Sequence, residues 1–206
     1  MKTLWMKAIS LTLALLFAPN LTSTVRAADV DPAAAQIQNF YDTLLEAMKH
    51  GKQLGLNGRY EKLKPAVEQA YDLPLMTRFA VGPSWSTLSA GDQKALIAAF
   101  ERMTIANYAK NFDDYSGEKF TVDPNVQSRG VDKVVQSKLI TSGQTIPFNY
   151  RMRQSGATWK VVDVYLNGFV SELATRRSDF GSTLASGGAS ALIKKIDALA
   201  DGLMKG

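Results

Sequence analysis

The sequence predicts an α+β fold in which helices pack on one face of an antiparallel four-stranded meander. Three observations carry it. Apolar residues recur at helical spacing from Ile37 to Phe112, the period becomes alternating between Lys119 and Leu166, and helical spacing returns from Phe169 to Leu203. The 206 residues are 46% hydrophobic and 21% charged, without a repeat or a long internal linker, so a single folded domain is expected.

The first helix is the clearest. Asp31 stands as N-cap before Pro32, and Ile37, Phe40, Tyr41, Leu44, Leu45 and Met48 form a broad stripe that Gly51 closes. A second helical stretch, 59 to 71, puts Leu63, Val67 and Tyr71 on one side, with Pro65 bending or restarting it. A short helix over 74–81 ends at Gly82-Pro83. Ser89 and Asp92 form a capping box opening a long helix through Leu96, Phe100, Met103, Tyr108 and Phe112, expected to stop at Ser116-Gly117.

Strands are predicted over 120–123, 131–141, 145–153 and 158–166, with Ser142-Gly143 and Ser155-Gly156 as two-residue turns. Pairing about Ser155-Gly156 sets Met152 opposite Trp159, Tyr150 opposite Val161, Phe148 opposite Asp163 and Ile146 opposite Tyr165. Pairing about Ser142-Gly143 adds Leu139, Ser137 and Val135 to that face. The other face collects Gln136, Lys138, Asn149, Arg151 and Lys160, so the two turns agree on which side is buried. The last helical stretch carries Phe169, Leu173, Phe180 and Leu184, breaks at Gly187-Gly188, and resumes with Leu192, Ile193, Ile196, Leu199 and Leu203.

Ahead of all this, Lys2 and Lys7 flank an apolar run from Ala8 to Ala18, followed by Pro19 and the small-residue end Val25-Arg26-Ala27. This reads as a secretory signal peptide over residues 1–27, leaving a domain of 28–206 that begins near Ala28. At 11 residues the run falls short of the about 20 that cross a bilayer. The first 27 residues hold three of the 24 cations and none of the 19 acids, so the remainder carries +2, and no nucleic-acid footprint is present. With no cysteine, neither a disulfide framework nor a thiol ligand exists.

Chemistry is sparse. The one histidine, His50, ends the first helix, where its charge complements the dipole, and a His/Cys metal site is not expected. No nucleophile elbow, phosphate loop or dinucleotide fingerprint occurs. Asp113, Asp114 and Glu118 lack the alternating ligand pattern of a calcium loop and read as a solvated helix end. Asp163 stands out, because the predicted register puts it on the apolar face. It is there either as a salt-bridge partner of Arg102, Arg176 or Arg177, or as the raised-pKa base of a cone-fold isomerase or dehydratase acting on a hydrophobic substrate. The aromatic and flexible residues of the long helix and the sheet either fill a core or line a cavity.

Several segments resemble one family. They are Leu75-Met76-Thr77-Arg78-Phe79-Ala80-Val81-Gly82-Pro83-Ser84-Trp85, Phe100-Glu101-Arg102, Asn149-Tyr150-Arg151-Met152-Arg153, Trp159-Lys160-Val161-Val162-Asp163-Val164 and Arg177-Ser178-Asp179-Phe180. Together, from about Gln36 to Leu199, they resemble the MlaC, or toluene-tolerance, family of periplasmic lipid-binding proteins. Asp163 to Gly168 with Ser171 to Ser178 is most similar to the hopanoid-associated HpnM branch, the commoner Gly-Val-Ser-Leu pattern being replaced.

The resemblance implies a sheet and helices enclosing an apolar pocket, and a periplasmic carrier that shuttles a membrane lipid between inner and outer membranes. A hopanoid is the favoured cargo and a phospholipid the second. The expected partners are an inner-membrane transporter and outer-membrane components met transiently, with no cofactor and no catalytic step. A non-lipid adaptor of an envelope transporter is a third reading. The alternation itself, without the family, nominates Phe100, Met103, Phe112, Phe148, Tyr150, Met152, Val161 and Tyr165 as cavity lining.

Overall fold

The computed structural model describes residues 30–205, so the expected signal peptide lies outside the described residues. Five helices and a six-stranded antiparallel sheet follow in the order helices, strands, helix. Helix α1, Pro32–Lys49, starts as expected: Asp31 accepts the Ala33 N–H at 2.8 Å, and its second carboxylate oxygen meets Lys133 Nζ at 2.6 Å, which ties the helix start to the sheet. At His50 the chain turns, and α2, Gly51–Ala70, begins at once instead of a loop. The break within α2 falls at Gly55, at φ 61° and ψ 179°, a conformation natural to glycine; no such break marks Pro65.

Helix α3, Leu73–Val81, is capped by Asp72 and leads through a 3-10 turn, Gly82–Thr87, into α4, Ala90–Asn111. Ser89 and Asp92 form the expected reciprocal cap, with Asp92 N donating to Ser89 Oγ at 3.1 Å and Ser89 Oγ donating to Asp92 Oδ2 at 2.7 Å. Helix α4 stops at Asn111, short of Ser116-Gly117, and a residue distant in sequence holds its last turn. Arg59, only 7% exposed, donates from Nε to the Ala109 carbonyl at 2.7 Å, the acceptor that Asp113 N–H would need to prolong the helix. Its Nη1 donates to the Gly51 carbonyl at 2.8 Å, so one guanidinium joins the end of α4 to the start of α2.

The strands are β1, Lys119–Val122; β2, Gln127–Arg129; β3, Asp132–Ile140; β4, Thr145–Ser155; β5, Thr158–Leu166; and β6, Val170–Ser171. Their order is β1-β3-β4-β5-β6, with β2 also on β3. Two strands thus extend the expected four. The β3–β4 register is the expected one, with Leu139 opposite Ile146, Ser137 opposite Phe148 and Val135 opposite Tyr150.

The β4–β5 register differs from expectation. Ser155 pairs with Thr158, so the turn is Gly156-Ala157, with Gly156 at φ 60°. Moving the turn by one residue keeps the same face at its end, where Met152 now meets Val161, not Trp159. Between Arg151 and Met152 the register then shifts: Val162 has no partner, and every residue beyond it changes face. Tyr150 pairs with Val164, Phe148 with Leu166, Asn149 with Tyr165 and Arg151 with Asp163. Asp163 and Tyr165 therefore leave the face that the unbulged register assigns them.

Helix α5, Glu172–Leu203, begins after Phe169, which is 78% exposed in the β5–β6 turn and not part of the helix. Gly188, at φ 68°, breaks α5 where Gly187-Gly188 predicts. Helices α1, α2, α3 and α5 all contact β5 on the helix-covered side of the sheet. On the other side, Asp132 is 3% exposed and held by Arg151 Nε at 2.5 Å and Arg153 Nε at 2.6 Å. Burial pushes its carboxyl up, but the Arg153 and Arg151 guanidiniums outweigh that and hold it below the usual carboxylate value.

Candidate functional site

Between the sheet and the helices lies a cavity of about 490 Å³. Phe100, Met103, Thr104 and Tyr108 enter from one side of α4, and Phe112 follows just past its end. Phe148 and Tyr150 enter from β4 at alternate positions, and Val164 and Leu166 stand opposite them on β5 because the Val162 bulge has turned them inward. Tyr41 and Leu44 come from α1. Glu172, Leu173 and Arg176 from the first half of α5, with Ala198, Leu199, Gly202 and Leu203 from the second, complete one wall. The Gly188 break lets both halves of that helix serve one cavity.

Five of the eight nominated residues meet here: Phe100, Met103, Phe112, Phe148 and Tyr150. The other three do not line the cavity. Met152 and Val161 share the inward face, but they are paired with each other at 0% exposure, inside packed core past the end of the hollow. Tyr165 lies across the bulge on the opposite face.

Asp163 is not in the lining either. Its Oδ1 accepts the Val164 N–H at 2.9 Å and the Leu173 N–H at 3.2 Å, and its Oδ2 accepts the Ser171 hydroxyl at 2.7 Å. The carboxylate is anchored at the start of α5, where the orphan N–H groups and the helix dipole favour an anion. None of Arg102, Arg176 or Arg177 is its partner: Arg102 pairs with Asp197 and Asp201, and Arg177 packs over Gly82. Two of the other acids flagged in the sequence have partners of their own. Asp114 meets Lys52 at 3.1 Å and Glu118 accepts the Ser116 N–H at 2.6 Å. His50 Nε2 lies 3.7 Å from Glu46.

The residues that sequence reasoning missed are informative. Tyr41, Leu44 and Tyr71 carry the apolar periodicity of core helices, and that signal does not separate a core position from a cavity wall. Tyr41, Tyr71 and Tyr150 are each 2% exposed, and their rings form an aromatic cluster with Phe40, Tyr108 and Phe120. Within it Tyr41 Oη lies 2.6 Å from Ser137 Oγ and donates to Tyr150 Oη at 3.0 Å, while the Tyr71 and Tyr108 hydroxyls bond each other.

Burial pushes the phenols of Tyr41, Tyr71 and Tyr150 well above their ordinary value of about 10, and that of Tyr108 up to about 12. A pKa raised in the folded state means that the associated stability is complete below pH of about 10 and is lost as pH rises toward the folded values. Alkaline titration followed at 295 nm should therefore show these four phenols ionising in one steep step with the loss of near-UV circular dichroism. Reversible ionisation near pH 10 without unfolding would contradict their enclosure.

The lining is mostly apolar. Its charged members, Glu172 and Arg176, sit one turn apart on α5 and are half-exposed, and Asn107, Ala198, Leu199 and Gly202 are exposed, so the cavity meets solvent along α4 and α5. The volume falls within the roughly 300–1,000 Å³ typical of small-molecule sites.

The MlaC protein family matches residues 38–198. Among solved structures, a phospholipid-binding protein from Ralstonia solanacearum, determined in complex with a phospholipid, matches with a TM-score of 0.75 at 21% identity, covering 85% of this chain and 100% of that one. At that identity the likeness establishes the shared fold. No match was found among curated proteins.

Proposed function

This chain belongs to the MlaC family, and from that membership together with the cavity we propose that it is a periplasmic carrier of a membrane lipid. The hollow apolar interior is the observation that carries the reading. At about 0.8 kcal/mol per methylene, exposing a sixteen-carbon chain to water costs roughly 12 kcal/mol, too much for a shallow patch to offset. A soluble shuttle must enclose its cargo, and the enclosure here opens to solvent where its lining residues Asn107, Ala198, Leu199 and Gly202 are exposed, beside the half-exposed Glu172 and Arg176. The lipid enters there, its apolar part lies between α4, α5 and the sheet, and it leaves when the carrier docks. Relative affinity drives uptake and discharge with no covalent step.

The chain is exported by its signal peptide, cleaved near Ala28, and moves cargo between inner and outer membranes through transient contact with an inner-membrane transporter and outer-membrane components. A hopanoid is the favoured cargo, supported by the HpnM-like stretch from Asp163 to Ser178. A phospholipid is second, supported by the ligand of the Ralstonia protein. The isomerase reading loses its base, because Asp163 is committed to the start of α5 and does not reach the cavity.

Vesicle-to-vesicle transfer tests the proposal. Delipidated protein added between fluorescent-phospholipid donor vesicles and unlabelled acceptors should accelerate exchange in proportion to its concentration. Exchange at the protein-free rate, with no lipid co-eluting, would leave the adaptor reading in its place.

A further inference from the structure

Two opposite charges stand in the cavity lining without an ion-pair partner. Glu172 and Arg176 are its only charged residues, and four residues apart on a helix with the acid first is the arrangement in which such side chains pair readily. Yet no ion pair holds either of them among the described residues, whereas the three other acids of α5 are all paired: Asp179 with Lys195, and Asp197 and Asp201 with Arg102. The polar groups at the start of α5 are satisfied without them, since Asp163 takes the Leu173 N–H and the Ser171 hydroxyl, and Ser171 Oγ takes the Ala174 N–H at 3.0 Å. The helix dipole favours an acid at Glu172, the first residue of α5, but it gives no reason for a cation one turn later. The Glu172 charge is also felt inside the hollow: burial pushes the Tyr108 phenol up to about 12, and the Glu172 carboxylate adds to that rise. Both side chains are half-exposed, so they stand where the apolar wall ends and water begins.

We infer that Glu172 and Arg176 form a headgroup site for a zwitterionic lipid, in which an ammonium group donates to the Glu172 carboxylate and a phosphate oxygen accepts from the Arg176 guanidinium. The inference rests on the cavity being a lipid site, and it names the polar end of that lipid. A guanidinium is the side chain best matched to phosphate oxygens. In an aminoethyl phosphate head the amine lies two carbons from the ester oxygen, and helix residues four apart have Cβ atoms about 5–6 Å apart, so one head can meet both side chains. A head with net negative charge satisfies Arg176 but meets Glu172 as a like charge, and an uncharged head gains from neither. Of the two cargoes, the phospholipid is the one this site fits.

The test compares phosphatidylethanolamine, phosphatidylglycerol and diacylglycerol, all with dioleoyl chains, delivered from cyclodextrin to delipidated protein. Wild type should hold phosphatidylethanolamine roughly two- to fivefold more tightly than either of the others, the range of a partly exposed ion pair, and salt at about 1 M should shrink the difference. Glu172→Gln should bring phosphatidylglycerol up to phosphatidylethanolamine. Arg176→Gln should weaken both phospholipids relative to diacylglycerol. Both positions are half-exposed, so the variants keep the fold, which circular dichroism confirms. Equal affinity of wild type for the three lipids, or an order of affinities unchanged in either variant, would overturn the inference and leave the carrier reading standing. If none of the three binds wild type, the lipid site itself is wrong and the inference falls with it.

Discussion

Phe148→Asp should leave the domain folded and unable to hold lipid. Phe148 is half-buried in the cavity wall, opposite Leu166 on β5 and Ser137 on β3, and its side chain is part of the surface that cargo covers. In the empty protein a carboxylate there can be hydrated through the cavity. With a lipid in place that water is gone, and an ion facing apolar chain carries a penalty of several kcal/mol. At 1.4 kcal/mol per factor of ten, retention should fall by about a hundredfold or more. Lipid bound per protein after gel filtration reads the loss, and an unchanged thermal transition confirms the fold. A folded variant that retains lipid normally would remove β4 from the cavity.

Met152→Asp, four residues along the same strand and on the same face, should instead unfold the protein. Met152 is 0% exposed and packed against Val161, beyond the end of the hollow, where no water can reach a carboxylate. Truncating a buried methionine alone costs about 2–5 kcal/mol. The unpaired buried charge adds to this, and the sum approaches the 5–15 kcal/mol that a domain has in total. Urea denaturation should show a midpoint displaced to very low denaturant or no native baseline. If Met152→Asp were as stable as wild type and merely empty, the cavity would extend past Tyr150, and the boundary drawn here between hollow and core would be wrong.

The contrast between these two positions also shows how far the sequence can be read. The β3–β4 hairpin was legible because Ser142-Gly143 is a strong turn signal and alternation leaves one workable register. The α1 cap, the Ser89–Asp92 box and the Gly188 break were legible for the same reason, since each depends on residues close in sequence. The β4–β5 pairing was not. Gly156 can occupy either place in a two-residue turn, and the bulge at Val162 has no local signature, because Val161 to Val164 is uniformly buried. That one unpaired residue decides that Val164 and Leu166, and not Tyr165, face the cargo.

Other differences have the same origin in contacts distant along the chain. The end of α4 is held by Arg59, fifty residues earlier, whose guanidinium bonds the Ala109 carbonyl. Strand β2, Gln127–Arg129, is exposed at every position and pairs with β3 through a turn at Gly130-Val131, so it offers no apolar alternation to detect. In the cavity, the α4 and β4 contributions were legible from their periodicity. Those of α1, α3 and α5 were not, because Leu44, Met76 and Leu203 are residues that pack a core equally well. Hollow and solid interiors use the same amino acids and differ only in how the elements are spaced.

Spacing is what the family membership and the cavity have in common, and the claim that follows is that this protein travels with a lipid inside it. The direct measurement is mass spectrometry of an organic extract of the protein purified from its native cells, with lipid quantified per mole of chain. The expected result is about one amphiphile per protein, a hopanoid or a phospholipid, lost in parallel from Phe148→Asp. Protein that emerges without lipid, and takes none up when offered hopanoid or phospholipid vesicles, would contradict the account.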